Sequence, residues 1–462
     1  MGMWERWHHR PQVFVCNAER RKGLSVRPLR IFLANLGFRL PLYPLVTPPM
    51  GVMYLAAYLR AHLDAEIRIV NQKLDNLSNE RIVEAAKAFE ADVVGVSAGT
   101  PTAHYLPWIT EQLKQALPDA LVVLGGPHLS ACGPAALEAT AADAAVPGEG
   151  ERAFEALVRL HMEGGSPADV PGIYSRAEDG QAVVNPGAVE CVADPDTLPF
   201  PAYDLIDLPA YWRHHGIAPI PRRRYVSLFS SRGCPYRCNY CHRVFGKRFR
   251  AHSAERVVDE VEHYVKTYGA DEIEFLDDIV NLDHDRLMTI CELLHSRGLR
   301  VKIAFPTAVR TDILRDDEIE MLVDSGMYYC GFSLESGSPR IQKLIGKHLN
   351  IDGFVENVAK VAERRVYCNG FAMLGFPTET EDELRQTIDV ACRSKLHTIS
   401  FFTVTPFPGT ELYRLVMETC PERIAHLDYS NMDFSSFNVN LSEVPDERFF
   451  YLQRQANRRF FC

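Results

Sequence analysis

The chain has 462 residues, of which 47% are hydrophobic and 24% are charged. This length predicts two or three domains, and the composition excludes a disordered chain or a fibrous repeat, because it supplies enough apolar surface for more than one core. Fifty Lys and Arg against 60 Asp and Glu leave a net charge of −10, which offers no overall attraction to nucleic acid. No stretch reaches the ~18 apolar residues of a membrane-spanning helix, so we expect a soluble, cytoplasmic protein.

Short apolar runs alternate with helix-period segments across residues 29–165. The runs lie at 30–35, 66–72, 92–100, 120–128 and 144–151. Between them apolar residues recur at intervals of three and four, as in Ile82, Ala86 and Phe89, which predicts helices that cover a sheet. This repetition predicts a doubly wound, Rossmann-like α/β domain of parallel strands, with its ligand crevice at the carboxyl ends of the strands.

Glycine-rich turns follow three of these predicted strands. They are SAGT with Ser97, Gly99 and Thr100, GGPH with Gly125, Gly126 and His128, and GEGE with Gly148 and Glu149. Because glycine lets the backbone approach a ligand closely, the turns predict a site for a large planar or phosphate-bearing group. The alternative is an empty domain that serves only as a scaffold.

The rest of the chain divides into four segments. Residues 1–28 are a basic leader, which we expect to be disordered, and residues 166–224 are a Pro- and Gly-rich connector. Within 225–410, six apolar runs separated by amphipathic helices predict a partial, TIM-type parallel barrel of six βα units. Residues 411–462 contain no further clear unit and are a candidate substrate-facing segment. The six runs lie at 225–231, 272–278, 302–310, 329–336, 367–377 and 398–410.

Three cysteines follow the first predicted barrel strand within eight residues. The segment SSRGCPYRCNYCHRVF places Cys234, Cys238 and Cys241 in a C-x3-C-x2-C spacing. Three thiolates on one loop can hold three irons of a [4Fe–4S] cluster and leave the fourth iron open to an outside ligand. The alternative is a zinc site completed by His242 or by a distant residue.

This spacing, with Tyr240 before the last cysteine at the end of a first barrel strand, resembles the signature of the radical S-adenosylmethionine (SAM) enzymes. The resemblance implies that the open iron binds SAM and that an electron from the cluster splits SAM into methionine and a 5′-deoxyadenosyl radical. Later strand ends resemble family segments that contact the amino group, carboxylate and ribose of SAM. They are FLDD with Asp277 and Asp278, then Arg310, then ESGS with Glu335 and Ser336. The alternatives are a helix cap for either aspartate and a surface arginine.

An α/β domain with GGPH and GEGE turns ahead of such a barrel resembles the B12-binding domain of the cobalamin-dependent radical SAM enzymes. The D-x-H-x-x-G segment of other cobalamin proteins is absent, so the resemblance leaves the lower ligand of cobalt open. The implied cofactors are a [4Fe–4S] cluster, SAM and cobalamin.

The leading hypothesis is a methyltransferase that methylates an unactivated carbon of a small-molecule or natural-product substrate through methylcobalamin. The alternatives are a non-methylating oxidative cyclase or rearrangement enzyme of the same architecture and, less favoured, a cobalamin or redox sensor without turnover. We expect an external electron donor resembling flavodoxin or ferredoxin, and neither a nucleic-acid partner nor a membrane span.

Overall fold

The protein consists of two α/β units, each built on a sheet whose main strands are parallel. The computed structural model describes residues 27–39, 45–218, 224–431 and 439–461, so nearly all of the predicted leader lies outside the described residues. None of the helices within these ranges combines the length and the apolar character needed to cross a membrane.

The first sheet has seven strands in the order β2-β1-β3-β4-β5-β6-β7. Strands β1 to β5 pair in parallel, and four consecutive residues of β1, 31–34, are buried because helices cover both faces of the sheet. The strands are β1 (Leu29–Asn35), β2 (Ala65–Asn71), β3 (Val93–Ser97), β4 (Leu121–Gly125), β5 (Ala144–Ala145), β6 (Tyr174–Arg176) and β7 (Ala182–Val184). The predicted doubly wound unit is confirmed, and two short strands from the predicted connector, β6 and β7, extend its sheet as antiparallel strands.

Helices on the two faces of this sheet enclose two separate apolar cores. The helix α3 begins where the Ser78 hydroxyl accepts a hydrogen bond from the Arg81 amide, which satisfies one of the free amides at a helix start. The helices are α1 (Met50–His62), α2 (Gln72–Asp75), α3 (Asn79–Ala88), α4 (Leu106–Ala116), α5 (Pro127–Cys132), α6 (Ala135–Glu138), α7 (Glu151–Glu163) and, in the connector, α8 (Leu208–Tyr211).

The second unit is an open barrel of six parallel strands in the order β15-β14-β13-β12-β11-β8. The predicted six-stranded partial barrel is therefore confirmed. A two-stranded antiparallel ribbon, β9 with β10, closes the base of the cysteine-bearing loop. The strands are β8 (Tyr225–Leu228), β9 (Ser231–Arg232), β10 (Arg250–Ala251), β11 (Glu272–Phe275), β12 (Lys302–Val309), β13 (Met327–Glu335), β14 (Tyr367–Leu374) and β15 (Thr398–Thr403).

Helices cover the outside of the barrel, and their ends carry the expected caps. A capping box between Thr380 and Glu383 starts α14, and Gly269 in the left-handed conformation ends α9. The helices are α9 (Ala254–Tyr268), α10 (His284–Ser296), α11 (Asp316–Asp324), α12 (Pro339–Leu344), α13 (Ile351–Glu363), α14 (Glu381–Arg393), α15 (Glu411–Thr419) and α16 (Asp446–Phe461).

The C-terminal segment adds no seventh βα unit within the described residues, but it contains two helices. It forms α15 and α16, and α16 packs against α14 and β15. Phe449, Leu452 and Ala456 lie on one face of α16 and are buried in the barrel core. The Leu441 amide also donates to the Gly375 carbonyl, so this segment is fastened to the loop that follows β14.

The two units share one apolar core. Met50, Met53 and Tyr54 of α1 in the first unit pack in the same cluster as Val226 and Leu228 of β8. Burying these side chains removes apolar surface of both units from water, so each unit stabilises the position of the other. The shared core holds the carboxyl ends of the two sheets on either side of one cavity.

Candidate functional site

A cavity of about 570 Å³ lies between the two units, and we call it the interdomain cavity. Its walls are largely apolar, and both units contribute to them. From the first unit the lining includes Ser97, Gly125, Gly126, Gly148, Glu149 and Glu151, and from the second Phe229, Arg232, Cys241, His242, Val244, Phe245 and Asp278. A group bound in the first unit would therefore lie directly beside the cysteine-bearing loop of the second.

The wall that the first unit contributes to this cavity depends on two glycines, which have no side chain. Gly126 has φ +95°, and a Cβ there would lie 2.8 Å from the Ala98 carbonyl oxygen, so a larger residue would strain the turn. At Gly125 a Cβ would meet nothing closer than the Val146 oxygen at 3.9 Å. A side chain at Gly125 would thus occupy the cavity itself, and its absence leaves room for a flat ligand against the strand ends.

The cavity extends as an apolar slot between the first sheet and its helices. Leu33 and Val123 line it from the strands, and Leu55 and Phe154 line it from α1 and α7. A glycine-lined mouth above an apolar slot suits a ligand with a flat ring and a tail, such as cobalamin. The residues present therefore fit that cofactor.

The loop of residues 233–249 carries the three cysteines and is fastened at several points. The Asn239 amide donates to the Ile345 carbonyl at 3.0 Å, and the Asn239 carbonyl accepts from the Leu412 amide at 2.9 Å. Gly233 has φ +84°, and a Cβ there would lie 2.4 Å from the Arg248 carbonyl oxygen, so only glycine fits this turn. The backbone thus holds Cys234, Cys238 and Cys241 on one fixed loop.

Burial disfavours the thiolate form of two of these cysteines, Cys234 and Cys241, unless a cation joins them. Partial burial raises the pKa of Cys234. Desolvation of the Cys241 sulfur, reinforced by the charges of Cys238 and Asp278, raises the pKa of that thiol to about 12. Bound iron would favour the thiolates strongly, because each one then faces a positive charge. This donor set fits an iron–sulfur cluster, in which each thiolate binds a different iron.

No three His, Cys, Asp or Glu side chains in the described parts of the chain converge on a single metal-ion position. His242, which the zinc alternative requires as a fourth ligand, packs edge-on against Phe407 with the ring centres 5.5 Å apart. Desolvation lowers the pKa of His242.

A buried network of charges joins the two units beside the cavity. Arg232 of β9 donates to Glu149 at 2.8 Å and to Glu151 at 2.7 Å, and Arg250 of β10 also donates to Glu149. These four side chains are each at most 7% exposed, and their two positive and two negative charges balance. Burial alone would lower the pKa of Arg232, but the carboxylates of Glu151 and Glu149 raise it. We call this set the interdomain charge network.

The predicted aspartates at the end of β11 lie in different environments. Asp277 is 2% exposed and accepts hydrogen bonds from the Ser230 amide and from the Ser230 and Ser231 hydroxyls, so its carboxylate braces the turn before the cysteines. Asp278 lines the interdomain cavity and accepts from the Gly233 amide at 3.1 Å. Burial raises the pKa of Asp278.

Arg310 uses its guanidinium within the protein. It donates to Asp312 in a bidentate pair at 2.8 and 3.1 Å and to the Lys347 carbonyl at 2.9 Å. Its central carbon lies 3.9 Å from the centre of the Tyr236 ring, which belongs to the cysteine loop. Arg310 therefore connects the end of β12 to that loop.

The remaining predicted residues of the barrel lie around the end of β13. Glu335 has φ +61°, which is strained for a residue with a side chain, and it pairs with Lys347 at 3.0 Å. Ser336 is fully buried, and its hydroxyl contacts Thr387 of α14. Tyr240 packs against Phe376, with ring centres 6.3 Å apart, and desolvation raises its pKa well above the ordinary value.

The structure divides the predicted residues of the first unit into two groups. Ser97, Gly125, Gly126, Gly148 and Glu149 line the interdomain cavity, whereas Gly99, Thr100 and His128 lie outside its lining.

His128 lines a separate apolar pocket of about 250 Å³, where its Nδ1 lies 3.5 Å from the Thr100 hydroxyl and 3.6 Å from the Cys132 sulfur. Desolvation lowers the pKa of His128.

Sequence reasoning missed the charge network, although its members stand next to recognised motifs. Arg232 lies two residues before Cys234, and Glu151 is the last residue of the GEGE turn. Charged residues beside two motifs could have suggested a pair between them. The sequence could not show which of these residues pair, because Arg232 and Glu149 are 83 residues apart.

Two family models match the chain in the order of its two units. Residues 43–158 match the B12 binding domain, and residues 228–391 match the radical SAM superfamily.

The chain is 31% identical over 369 residues to a Pyrococcus horikoshii protein named uncharacterized methyltransferase PH0819, with 79% of this chain and 78% of the relative covered. It is 28% identical to the anaerobic magnesium-protoporphyrin IX monomethyl ester cyclase of Rubrivivax gelatinosus, over 79% of this chain and 66% of that protein.

A solved structure of similar fold is that of the radical SAM methyltransferase TsrM from Kitasatospora setae, with cobalamin and a [4Fe–4S] cluster bound. It matches with a TM-score of 0.70 at 20% identity, over 85% of this chain and 75% of that one. The family resemblance predicted from the cysteine loop and the glycine turns is therefore confirmed. This chain belongs to the radical SAM enzymes that carry an N-terminal B12-binding domain.

Proposed function

We propose that this protein is a cobalamin-dependent methyltransferase that uses radical SAM chemistry to methylate an unactivated carbon of a small molecule. The observation that carries the proposal is the interdomain cavity, which is lined at once by the glycine turns of the first unit and by Cys241 of the second. When bound, the cluster would supply the electron that splits SAM, and cobalamin would supply the methyl group. Placing both groups at one cavity provides the proximity that such a transfer needs.

Each unit contributes its own residues to this arrangement. Cys234, Cys238 and Cys241 would hold the cluster. Glu335, at the strained end of β13, and Asp278, which faces the cavity, would orient SAM. Ser97, Gly125, Gly126 and Gly148 would hold the corrin ring against the strand ends of the first sheet.

Two predicted SAM contacts receive a different role in this proposal. Arg310 is already bound to Asp312 and stacked on Tyr236, and Asp277 is already bound to two serines. We propose that both act as positioning residues that hold the cysteine loop and the strand ends in place. The same applies to Glu149, whose carboxylate is occupied by Arg232 and Arg250.

The apolar walls of the cavity would protect a reactive radical. Phe229, Val244 and Phe245 line the cavity beside the cysteine loop and exclude water from the space between the two units. We place the enzyme in the cytoplasm, where thiols stay reduced, in accord with the free thiols of the ten cysteines in the described residues.

The proposal is tested by counting cofactors per chain. After anaerobic reconstitution with iron, sulfide and hydroxocobalamin, followed by gel filtration, we expect about one corrinoid and four irons per chain. A cluster without corrinoid would contradict the methylcobalamin mechanism.

Two variants should each remove one of the two cofactors and leave the other bound. Gly125→Val puts a side chain into the cavity, and its first carbon would come no closer than 3.9 Å to the protein, so the variant should lose corrinoid and keep iron. Cys238→Ala should lose iron and keep corrinoid.

A non-methylating oxidative cyclase remains the second candidate, because a magnesium-protoporphyrin cyclase matches 79% of the chain. The two candidates differ in what they form from SAM. A methyltransferase forms S-adenosylhomocysteine, up to one equivalent per bound corrinoid without substrate, in addition to 5′-deoxyadenosine. Formation of 5′-deoxyadenosine alone by the corrinoid-loaded protein would favour the cyclase.

A further inference from the structure

The cysteine loop carries positively charged side chains but no negatively charged ones. Residues 233–249 include Arg237, Arg243, Lys247 and Arg248 but no Asp or Glu, in a chain with a net charge of −10. We call these four residues the basic tip. A concentrated positive charge on an acidic protein marks this surface off from its surroundings.

Most cations of the basic tip lie at the surface. Arg237, Arg243 and Arg248 are exposed, and Lys247 donates to the Tyr236 carbonyl at 3.4 Å. Desolvation, followed by the like charges of Arg243 and Arg237, lowers the pKa of Lys247, which is consistent with three neighbouring positive charges.

Few carboxylates balance this charge. Glu411 of α15 reaches Arg243 at 3.6 Å, whereas the part of the chain that the structure describes contains no ion pair for Arg237 or Arg248. Neighbouring like charges repel each other, and an acidic partner bound here would offset that repulsion.

We propose that the basic tip is the docking face for an acidic electron-carrier protein of the flavodoxin or ferredoxin kind. The inference rests on the proposed function, which requires one electron for each SAM that is split. The carrier would lose one electron, and the cluster held by Cys234, Cys238 and Cys241 would supply it to the SAM sulfonium. The S–C5′ bond then breaks to give methionine and the 5′-deoxyadenosyl radical, and no proton moves.

The position of the basic tip favours this partner over other acidic molecules. Arg237 lies between Cys234 and Cys238, and Arg243 lies two residues after Cys241, so a protein bound here contacts the loop that would hold the cluster. Electron-transfer partners form small, transient interfaces below about 1,200 Å² and rely on charge to steer their encounter. A compact group of cations suits that kind of contact.

The test compares a charge-reversed tip with a matched control in the full-length, anaerobically reconstituted protein. The tip variant is Arg237→Glu/Arg243→Glu. The control is Arg81→Glu/Arg393→Glu, which changes the net charge equally at exposed arginines of α3 and α14.

Two readouts are taken for each protein. The first is the binding of purified flavodoxin, by microscale thermophoresis at low and high salt. The second is 5′-deoxyadenosine formation driven either by reduced flavodoxin or by reduced methyl viologen, a small cationic reductant.

We expect flavodoxin binding and flavodoxin-driven SAM cleavage to fall by about tenfold or more in the tip variant, because charge at an interface rim controls the association rate. Wild-type binding should weaken as salt rises. The control should stay within about twofold of wild type, and cleavage driven by methyl viologen should not fall in either variant, because a small cation does not need a positive docking face. If the tip variant loses iron, Arg237→Gln/Arg243→Gln replaces it, with a smaller expected loss.

Several outcomes would overturn the proposal. They are equal flavodoxin-driven rates in the tip variant and the control, failure of wild type to bind flavodoxin, and tip-dependent binding of tRNA in place of flavodoxin. A wild-type protein that binds flavodoxin through the tip but does not cleave SAM with methyl viologen would support the docking face and contradict the proposed function. The two proposals therefore fail in different ways.

Discussion

The cysteine loop has arginines at its base and at its tip, and the two groups have opposite environments. At the base, Arg232 and Arg250 are buried and paired with Glu149 and Glu151 of the first unit. At the tip, Arg237, Arg243 and Arg248 are exposed, and the first-unit carboxylates do not reach them in the described residues. The same side chain therefore fixes the loop at one end and leaves charge available to a partner at the other.

Burial explains this difference. A buried guanidinium requires carboxylates at hydrogen-bonding distance, since an unpaired charge inside a protein is costly. Arg232 meets that requirement with two carboxylates and lies over the rings of Tyr54 and Phe245, at 5.1 and 5.2 Å from their centres. An exposed guanidinium is solvated by water and contributes little to folding, so it is free to serve in recognition.

The largest effect is expected from neutralising one carboxylate of the interdomain charge network. Glu149→Gln leaves Arg232 and Arg250 buried with only Glu151 as counter-charge, and this should cost about 3–5 kcal/mol of stability. Because the unfolding entropy of a chain of 462 residues is about 1 kcal/mol/K, the midpoint of thermal unfolding should fall by roughly 3–5 °C. A change below about 2 °C would show that water reaches these charges.

Removing one charge of each sign distinguishes the cost of an unpaired buried charge from the cost of lost packing. Glu149→Met/Arg250→Met deletes one charge of each sign and leaves Arg232 paired with Glu151, so it should be more stable than Glu149→Gln alone. The exposed pair of Arg60 and Asp204 provides the surface control, where Asp204→Asn should cost at most about 1 kcal/mol.

A smaller loss is expected when the charge stays but its geometry changes. Arg232→Lys keeps the positive charge, yet one ammonium cannot reach both Glu149 and Glu151 with the spacing of the guanidinium fork. We expect a loss of about 1–3 kcal/mol and weaker retention of corrinoid, since Glu149 and Arg232 line the cavity. Iron content per chain should stay at the wild-type value, which distinguishes a shifted cavity from an unfolded loop.

Sequence patterns within short segments were sufficient to predict the strands and the loops of the site. The six barrel strands, the cysteine loop and the glycine turns follow from periodicity and spacing within short segments. Contacts between distant segments were not predictable in this way. FLDD alone could not show that Ser230 and Ser231 occupy Asp277. Helix α16 was missed even though its buried Phe449, Leu452 and Ala456 recur at intervals of three and four, because aromatic residues of the same helix that turn out to be exposed, Tyr451 and Phe461, obscure that pattern.

Glu379 is a buried carboxyl group that is hydrogen-bonded by backbone amides, whereas Glu149 is paired with buried arginines. It accepts from the Gly375 amide at 2.7 Å and the Phe376 amide at 3.0 Å, yet burial raises its pKa to about 8. The folded chain therefore keeps this proton over a pH range in which the unfolded chain releases it. Stability from this group should fall as pH rises between about 4.5 and about 8, by up to about 1.4 kcal/mol per pH unit.

The variant Glu379→Gln tests this pH dependence. An amide oxygen still accepts from Gly375 and Phe376 but cannot ionise, so the thermal midpoint of the variant should vary less between about pH 6 and pH 8 than that of wild type. Glu84→Gln, at an exposed position of α3, should leave the wild-type slope unchanged. Equal slopes in wild type and Glu379→Gln would mean that Glu379 is ionised in the folded protein.

The smallest effect on stability is expected at the basic tip. Arg237→Gln/Arg243→Gln removes two charges that repel Lys247 and loses one contact of 3.6 Å with Glu411. These terms oppose each other, so the thermal midpoint should change by the equivalent of at most about 0.5 kcal/mol. Any gain should be largest at low salt, where like charges are screened least. A loss comparable to that of Glu149→Gln would contradict the distinction between base and tip, because it would mean that these exposed arginines also hold the loop in place.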